Sequence, residues 1–342
     1  MHGLTAFVLA ALPLAALAGN PHEGSSKQRR HRARNFNIRS KTYNLTDKWQ
    51  GDNFFDGWDF YTGADPTHGN VQYVDKNTAM SEGLAYVQSD GTVSVDVDTK
   101  STVAAGGQRK SVRLQSQKSY SSGLFIADFF AMPHGCGVWP AWWSVGPNWP
   151  AAGEIDVIEG VNTNKQNQYT LHSGAGCTLD KTPSALASSS ANATEPFTGN
   201  VLGTQCASSD GNNAGCAIQD AGSTSFGHGF NMAYGGVFAH LWDSTGIAIW
   251  HFTRAEIPAD ITAGTPDPST WPSPSALFSS SSCDIASHFY EHTLVLNTDI
   301  CGDWAGPDYA NSGCPGTCVE AVANGANFNF AKWKINYIAV YN

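Results

Sequence analysis

The stretch Gly153-Glu154-Ile155-Asp156-Val157-Ile158-Glu159-Gly160 sets three carboxylates among three branched apolar residues. Glu and Asp are poor strand formers and costly to bury, so this run needs a chemical reason. On a strand, alternate residues share a face, which groups Glu154 with Asp156 and turns Ile155 and Val157 the other way. Glu159 falls one residue out of phase. A single β-bulge between Asp156 and Glu159 would return it to the acidic face, and bulges are frequent beside active sites. The pattern predicts an inner strand with one side in a core and the other in a groove. With the bulge, the two Glu backbones stand roughly 13 Å apart. Side chains reaching inward narrow that gap towards the ~5–5.5 Å between the carboxyl groups of retaining glycosidases. The spacing does not say which Glu is the nucleophile and which the acid. The competing readings are three exposed carboxylates on an edge strand, or a divalent-cation site.

The same period-2 alternation recurs at 112–116, 124–132, 168–173, 237–243, 247–252, 293–298 and 332–341. In the last, Trp333, Ile335, Tyr337 and Ala339 fall on one face and Lys332, Lys334 and Asn336 on the other. No segment sustains a 3.6-residue apolar period, and Gly, Ser, Thr, Asn and aromatic residues abound. Two irregular insertions, about 174–229 and 258–282, interrupt the strands and read as functional walls. The expected fold is all-β: a sandwich of two antiparallel sheets with long disulfide-bearing loops.

With 342 residues, 41% hydrophobic and 14% charged, the chain suits one large domain. Residues 4–17 are almost continuously apolar and end in Ala16-Leu17-Ala18, so 1–18 read as a signal peptide. The apolar run is too short to span a membrane. Residues 19–40, with the basic run Lys27-Gln-Arg-Arg-His-Arg-Ala-Arg34, read as a pro-segment or linker, and 41–342 as the catalytic domain. Residues 1–34 hold five Lys/Arg and one Glu, so their removal takes the formal charge from −10 to −14. Such acidity argues against nucleic acid and suits a neutral polysaccharide. Eight cysteines in an exported chain suggest disulfides, in a pairing that cannot be read from spacing. The sequons at Asn44 and Asn192 fit export.

The acidic segment resembles the E-x-D-x-x-E signature of glycoside hydrolase family 16, in its bulged, laminarinase-like branch. Gly137-Val-Trp-Pro-Ala-Trp-Trp143 and Trp149-Pro150 are similar to that family's approach to the catalytic strand. The likeness extends to Gly63-Ala-Asp-Pro-Thr-His-Gly69, Tyr73-Val-Asp75, Ser111-Val-Arg-Leu-Gln-Ser116, Thr170-Leu-His172 and Cys301-Gly-Asp-Trp-Ala-Gly306. It runs over residues 42–342 and points to fungal secreted endo-1,3(4)-β-glucanases. The resemblance implies a β-jelly roll with Glu154 as nucleophile, Glu159 as general acid/base and Asp156 as helper. Trp142-Trp143 and Ala151-Ala152 depart from the family's pattern.

Glucans stack their ring faces on flat aromatics, and Trp139, Trp143, Trp149 and Trp304 are the candidates. Core packing is the competing reading for Trp139, and Trp242 and Trp250 read as core. His172 is a candidate to orient Glu159 or a sugar hydroxyl, or is a satisfied core histidine. Arg113 could pair with a carboxylate or touch glucan, and Asn77 is a further candidate. The chemistry requires no cofactor, and no metal ligand set is read. The expected protein is a secreted, monomeric endo-β-glucanase acting on β-1,3 or mixed-linkage glucan. A wall-remodelling transglycosylase and a lectin-like binder are the alternatives.

Overall fold

Alternation along the strands divides this chain into two sheets, as a computed structural model makes explicit; it describes residues 41–181, 196–209 and 211–342. The expected signal peptide, the basic segment to residue 40 and the Asn192 sequon lie outside the described residues. Both sheets have eight strands. The acidic sheet runs in the order Asn200–Gly203, Cys216–Gln219, Gln168–His172, Glu154–Glu159, Val138–Val145, His292–Ile300, Arg113–Tyr120 and Trp58–Phe60. Its partner runs Ala276–Ser279, Gly246–Thr253, Gly236–Asp243, Gly123–Ala131, Lys332–Tyr341, Val93–Asp96 and Ala85–Val87, with Leu45–Gln50 also paired to Lys332–Tyr341. All strand pairings in both sheets are antiparallel; a parallel strand pair, Val71–Tyr73 with Arg109–Ser111, stands apart from them.

One apolar core fills the space between the sheets. Ile155, Val157 and Ile158 of the acidic strand meet Leu171 and Leu296 of its own sheet and Phe125, Phe129 and Trp333 of the other. Trp142, 1% exposed, sits edge-on to Trp58 and Phe129, each at 6.4 Å. It is therefore a core residue, and of the Trp142-Trp143 pair only Trp143 is left for a ligand. Trp242 and Trp250 are buried as expected.

Three features differ from the sequence expectation. Val138–Val145 is a central strand despite Pro140, which argues against one. Its ladder to the acidic strand ends at Ala141, so Pro140 lies beyond the last bridge and its missing N–H costs that ladder nothing. Both insertions contain strands: Asn200–Gly203 and Cys216–Gln219 extend the acidic sheet, and Ala276–Ser279 closes the edge of the other. In Lys332–Tyr341, register shifts on either side of Ile335 change the phase of the alternation. Ile338 becomes fully buried, and Tyr337 is left half-buried under the Lys48 ammonium, 4.8 Å from its ring.

The eight cysteines pair as Cys136–Cys314, Cys177–Cys283, Cys206–Cys216 and Cys301–Cys318. A chain so bridged is one folded in an oxidising, extracytoplasmic setting. Cys177–Cys283 joins the first insertion to the end of the second, and Cys206–Cys216 ties the outer strands of the acidic sheet.

Two histidines lie between the sheets, where a charge is costly. His240 stacks on Phe125 with ring centroids 4.4 Å apart, neither ring nitrogen is hydrogen-bonded, and burial pushes it down to about 3. His292 donates from Nε2 to the Ala152 carbonyl at 2.8 Å, and burial pushes it down to about 4. An unfolded histidine takes its proton near pH ~6.5. Below that the unfolded chain binds more protons than the folded one, so stability is complete above the window and falls as pH drops through it. Thermal melts from pH 7 to pH 4 should show this fall, and His240→Phe should make it shallower. Equal slopes for variant and parent would clear His240 of any part in it.

Candidate active site

The acidic strand is held by neighbours on both sides. Towards Gln168–His172, Glu154 opposes His172 and Asp156 opposes Thr170. Towards Val138–Val145, Glu154 opposes Val145 and Asp156 opposes Trp143, after which the register slips so that Ile158 meets Trp142 and Glu159 meets Ala141. Val157 is thus the extra residue of a bulge. With Ile155 and Ile158 in the core, Glu159 comes back to the face of Glu154 and Asp156, as the spacing demanded. A bulge leaves backbone groups without ladder partners, and here Asn167 supplies them. Its Nδ2 donates to the Val157 carbonyl at 2.8 Å, and its Oδ1 accepts from the Glu159 N–H at 3.0 Å.

Each Glu is flanked by a tryptophan. The Trp139 indole N–H donates to Glu159 Oε1 at 3.0 Å, and the Trp149 side chain lies near Glu154, where it favours the ionised carboxylate slightly. His172 turns Nε2 towards Glu154 Oε1 (3.7 Å) and Asp156 Oδ2 (3.4 Å), while its Nδ1 lies 2.9 Å from Ser208 Oγ. It therefore stands beside Glu154 and Asp156 rather than against Glu159. Burial, and then the charge of Asp156, pushes Glu154 and Glu159 each up to about 8. Burial holds Asp156 well above the usual carboxylate range. Three such groups cannot all ionise near neutrality, and their titrations are coupled. Paired acid and nucleophile work needs one Glu protonated while the other is ionised, and coupled groups of this kind share protons in that way.

The aromatic candidates divide by position. Trp304 meets Trp139 edge-on at 5.7 Å, and both are half-buried. Trp149 is 38% exposed and its ring centroid lies 6.5 Å from that of His172. Trp143 donates from its indole to Asn297 Oδ1 at 2.7 Å, and Asn297 Nδ2 donates to Tyr73 OH at 3.1 Å. The Arg113 guanidinium lies 5.0 Å from the Trp143 ring and 4.8 Å from that of Tyr61, and pairs with no carboxylate among the described residues. Its Nε is buried without a hydrogen-bond partner there. Asn77 is exposed on the first turn of Lys76–Ser81, where its N–H donates to Asp75 Oδ1 at 2.9 Å.

Asn297, Ser208, Tyr61 and Asn167 are the residues that sequence reasoning missed. They act on other side chains or on backbone, and only Asn297, inside an expected strand, carried any signal. Glu154, Asp156 and His172 each offer one ligand atom within 4.8 Å of the others, a possible grip for a metal ion.

The family profile described as "XgeA-like, catalytic GH16 domain" matches residues 58–341. The chain belongs to glycoside hydrolase family 16. It is 42% identical to a probable glycosidase of Schizosaccharomyces pombe, over 91% of this chain and 72% of that protein. It is 41% identical to an endo-1,3(4)-β-glucanase of Arthroderma benhamiae, over 88% of this chain and 65% of that protein. Some family members are longer still: this chain spans 46% of a probable Aspergillus fumigatus endo-1,3(4)-β-glucanase. Among solved structures, laminarinase 16A of Phanerochaete chrysosporium, with two β-glucans in its donor and acceptor sites, superposes with a TM-score of 0.81. Identity is 37%, over 88% of this chain and all of that one. An elongating family 16 β-1,3-glucosyltransferase superposes with a TM-score of 0.80 at 39% identity, with the same coverage. The two-sheet sandwich is the jelly roll of this family.

The raised Glu154 also sets a pH signature. Its folded value near 8 exceeds the ~4.3 of an unfolded Glu. The folded chain holds the extra proton between those values, so stability is full below the window and declines as pH rises through it. Glu154→Gln cannot ionise. Its melting temperature should match the parent's near pH 4 and exceed it near pH 8, and equal melting at pH 8 would contradict the assigned burial.

Proposed function

We propose that this protein is a secreted, monomeric endo-β-glucanase that hydrolyses internal β-1,3 or mixed β-1,3/1,4-glucosidic bonds with retention of configuration. Residues 41–342 are its catalytic domain, exported by the signal peptide at 1–18. The observation that carries the reading is the Val157 bulge, which sets Glu154 and Glu159 on one face of one strand. The relatives named as endo-1,3(4)-β-glucanases support the substrate class.

In the reaction, protonated Glu159 gives its proton to the glycosidic oxygen as that bond breaks, and ionised Glu154 attacks the anomeric carbon. The aglycone leaves, and a glycosyl ester on Glu154 remains. Glu159, now a carboxylate, takes a proton from water, whose oxygen displaces Glu154 and frees a sugar of the original anomeric configuration. Asp156 lies between them on the same face, where burial disfavours its charge. Trp139, Trp143, Trp149 and Trp304 offer ring faces to the glucan, and Arg113 adds a cation beside the Trp143 ring.

A second reading, transfer to a sugar hydroxyl in place of water, is favoured by the 39% identity to an elongating glucosyltransferase. Both use the same residues, so product length distinguishes them. Laminari-oligosaccharides should be shortened, and products longer than the starting sugar would favour transfer.

Glu159→Gln should lower reducing-sugar release from laminarin by about 10²–10⁴-fold, the usual worth of a general acid/base. Glu154→Gln should do at least as much. Unchanged release by either variant would refute the assignment of that Glu. Proton NMR of the first products should show the β-anomer, whereas initial α-product would mean inversion. EDTA should leave the rate unchanged. A loss restored by added calcium or zinc would move Glu154, Asp156 and His172 into a metal site.

A further inference from the structure

The ladder between the acidic strand and Gln168–His172 stops at the pair Asp156 and Thr170. Past that point the bulge carries Val157 and Glu159 away from any strand partner on that side. Two backbone groups are left: the Val157 carbonyl, which can only accept, and the Glu159 N–H, which can only donate. A carboxamide meets both at once because it presents an acceptor and a donor in one plane. Asn167 does so at 2.8 and 3.0 Å, and these partners also settle which end of its amide is oxygen.

Asn167 is itself fully buried and held from behind. Its N–H donates to Ser225 Oγ at 3.0 Å, and its carbonyl accepts from the Asp220 N–H at 2.8 Å. Ser225 in turn donates to the Gly222 carbonyl at 2.6 Å, and the Asp220 carboxylate accepts from the Gly222 N–H at 2.7 Å and from the Tyr169 hydroxyl. The turn at 220–225 thus fixes Asn167, and Asn167 fixes the peptides on either side of Ile158. Glu159 departs from the second of these.

We propose that Asn167 is a positioning residue for Glu159: its carboxamide stands in for the missing strand and sets the direction in which the Glu159 side chain enters the site. This rests on the reading of Glu159 as the general acid/base. The clasp touches neither substrate nor carboxylate. It acts on proton delivery, and the path of Glu154, which leaves the strand before the bulge, is set by its paired neighbours.

Leaving-group dependence separates this role from a merely structural one. An activated aryl glycoside such as 2,4-dinitrophenyl β-laminaribioside needs almost no proton to break its bond, whereas laminarin does. Asn167→Ala should lower kcat/KM on laminarin by about 10–100-fold, a fraction of what a general acid supplies, and stay within ~3-fold of the parent on the aryl glycoside. Equal losses on both substrates would overturn the proposal, and so would parental activity on laminarin. If Asn167→Ala does not fold, Ser225→Ala decides by the same comparison: it loosens the support of Asn167 and leaves both carboxamide bonds in place. A smaller split of the same sign supports the clasp, and no split refutes it. Glu159→Gln serves as control and should show the split at full size. If that control retains laminarin activity, it is the role of Glu159 that fails, and the clasp has no catalytic group to position.

Discussion

Carboxyl groups crowded onto one desolvated strand raise one another's cost of ionisation, and this site puts three of them between Glu154 and Glu159. The fold tolerates the crowding because the other face of the strand, Ile155, Val157 and Ile158, is locked into the core between the sheets. It relieves the crowding with N–H donors from outside the strand. Trp139 serves Glu159, and His172 lies near Glu154 and Asp156. What strain remains is of the kind that functional sites store at the expense of stability.

The remainder of the acidic sheet keeps that arrangement rigid. Trp142 points inward and spans the gap to Phe129 of the opposing sheet, while its neighbour Trp143 points outward into a chain of contacts through Asn297, Tyr73, Arg113 and Tyr61. Adjacent tryptophans on one strand thus serve opposite faces. The inward one anchors the strand beside the acids, and the outward one offers an aromatic surface next to Asp156.

Much of this was legible in the residue pattern. Period-2 alternation marked the strands from 112 to 341, and the phase error at Glu159 announced the bulge before any coordinate did. Val138–Val145 escaped because Pro140 is a local signal against a strand, and only the end point of a ladder makes it harmless. The strands at 200–203 and 216–219 escaped because segments of four residues carry little periodicity and are recruited by the neighbour they pair with. Asn167 escaped for a different reason: its partners are backbone groups, which leave no trace in the identity of the residues that own them. Asn77 drew attention by its place after Tyr73, and it sits exposed on a helix turn that Asp75 caps.

Two of the four disulfides, Cys136–Cys314 and Cys301–Cys318, bracket the segment that carries Trp304 and flank the start of the strand that carries Trp139. The Gly137 backbone runs so close to this knot that a side chain there would come within 3.1 Å of Cys318 Sγ. The indole that steadies Glu159 is therefore anchored to covalent bonds that form only when the chain meets an oxidant. Inside a reducing cytosol, a newly made chain would lack the fastening of this wall even where its sheets had paired. Completion of this wall is in this way coupled to an oxidising environment.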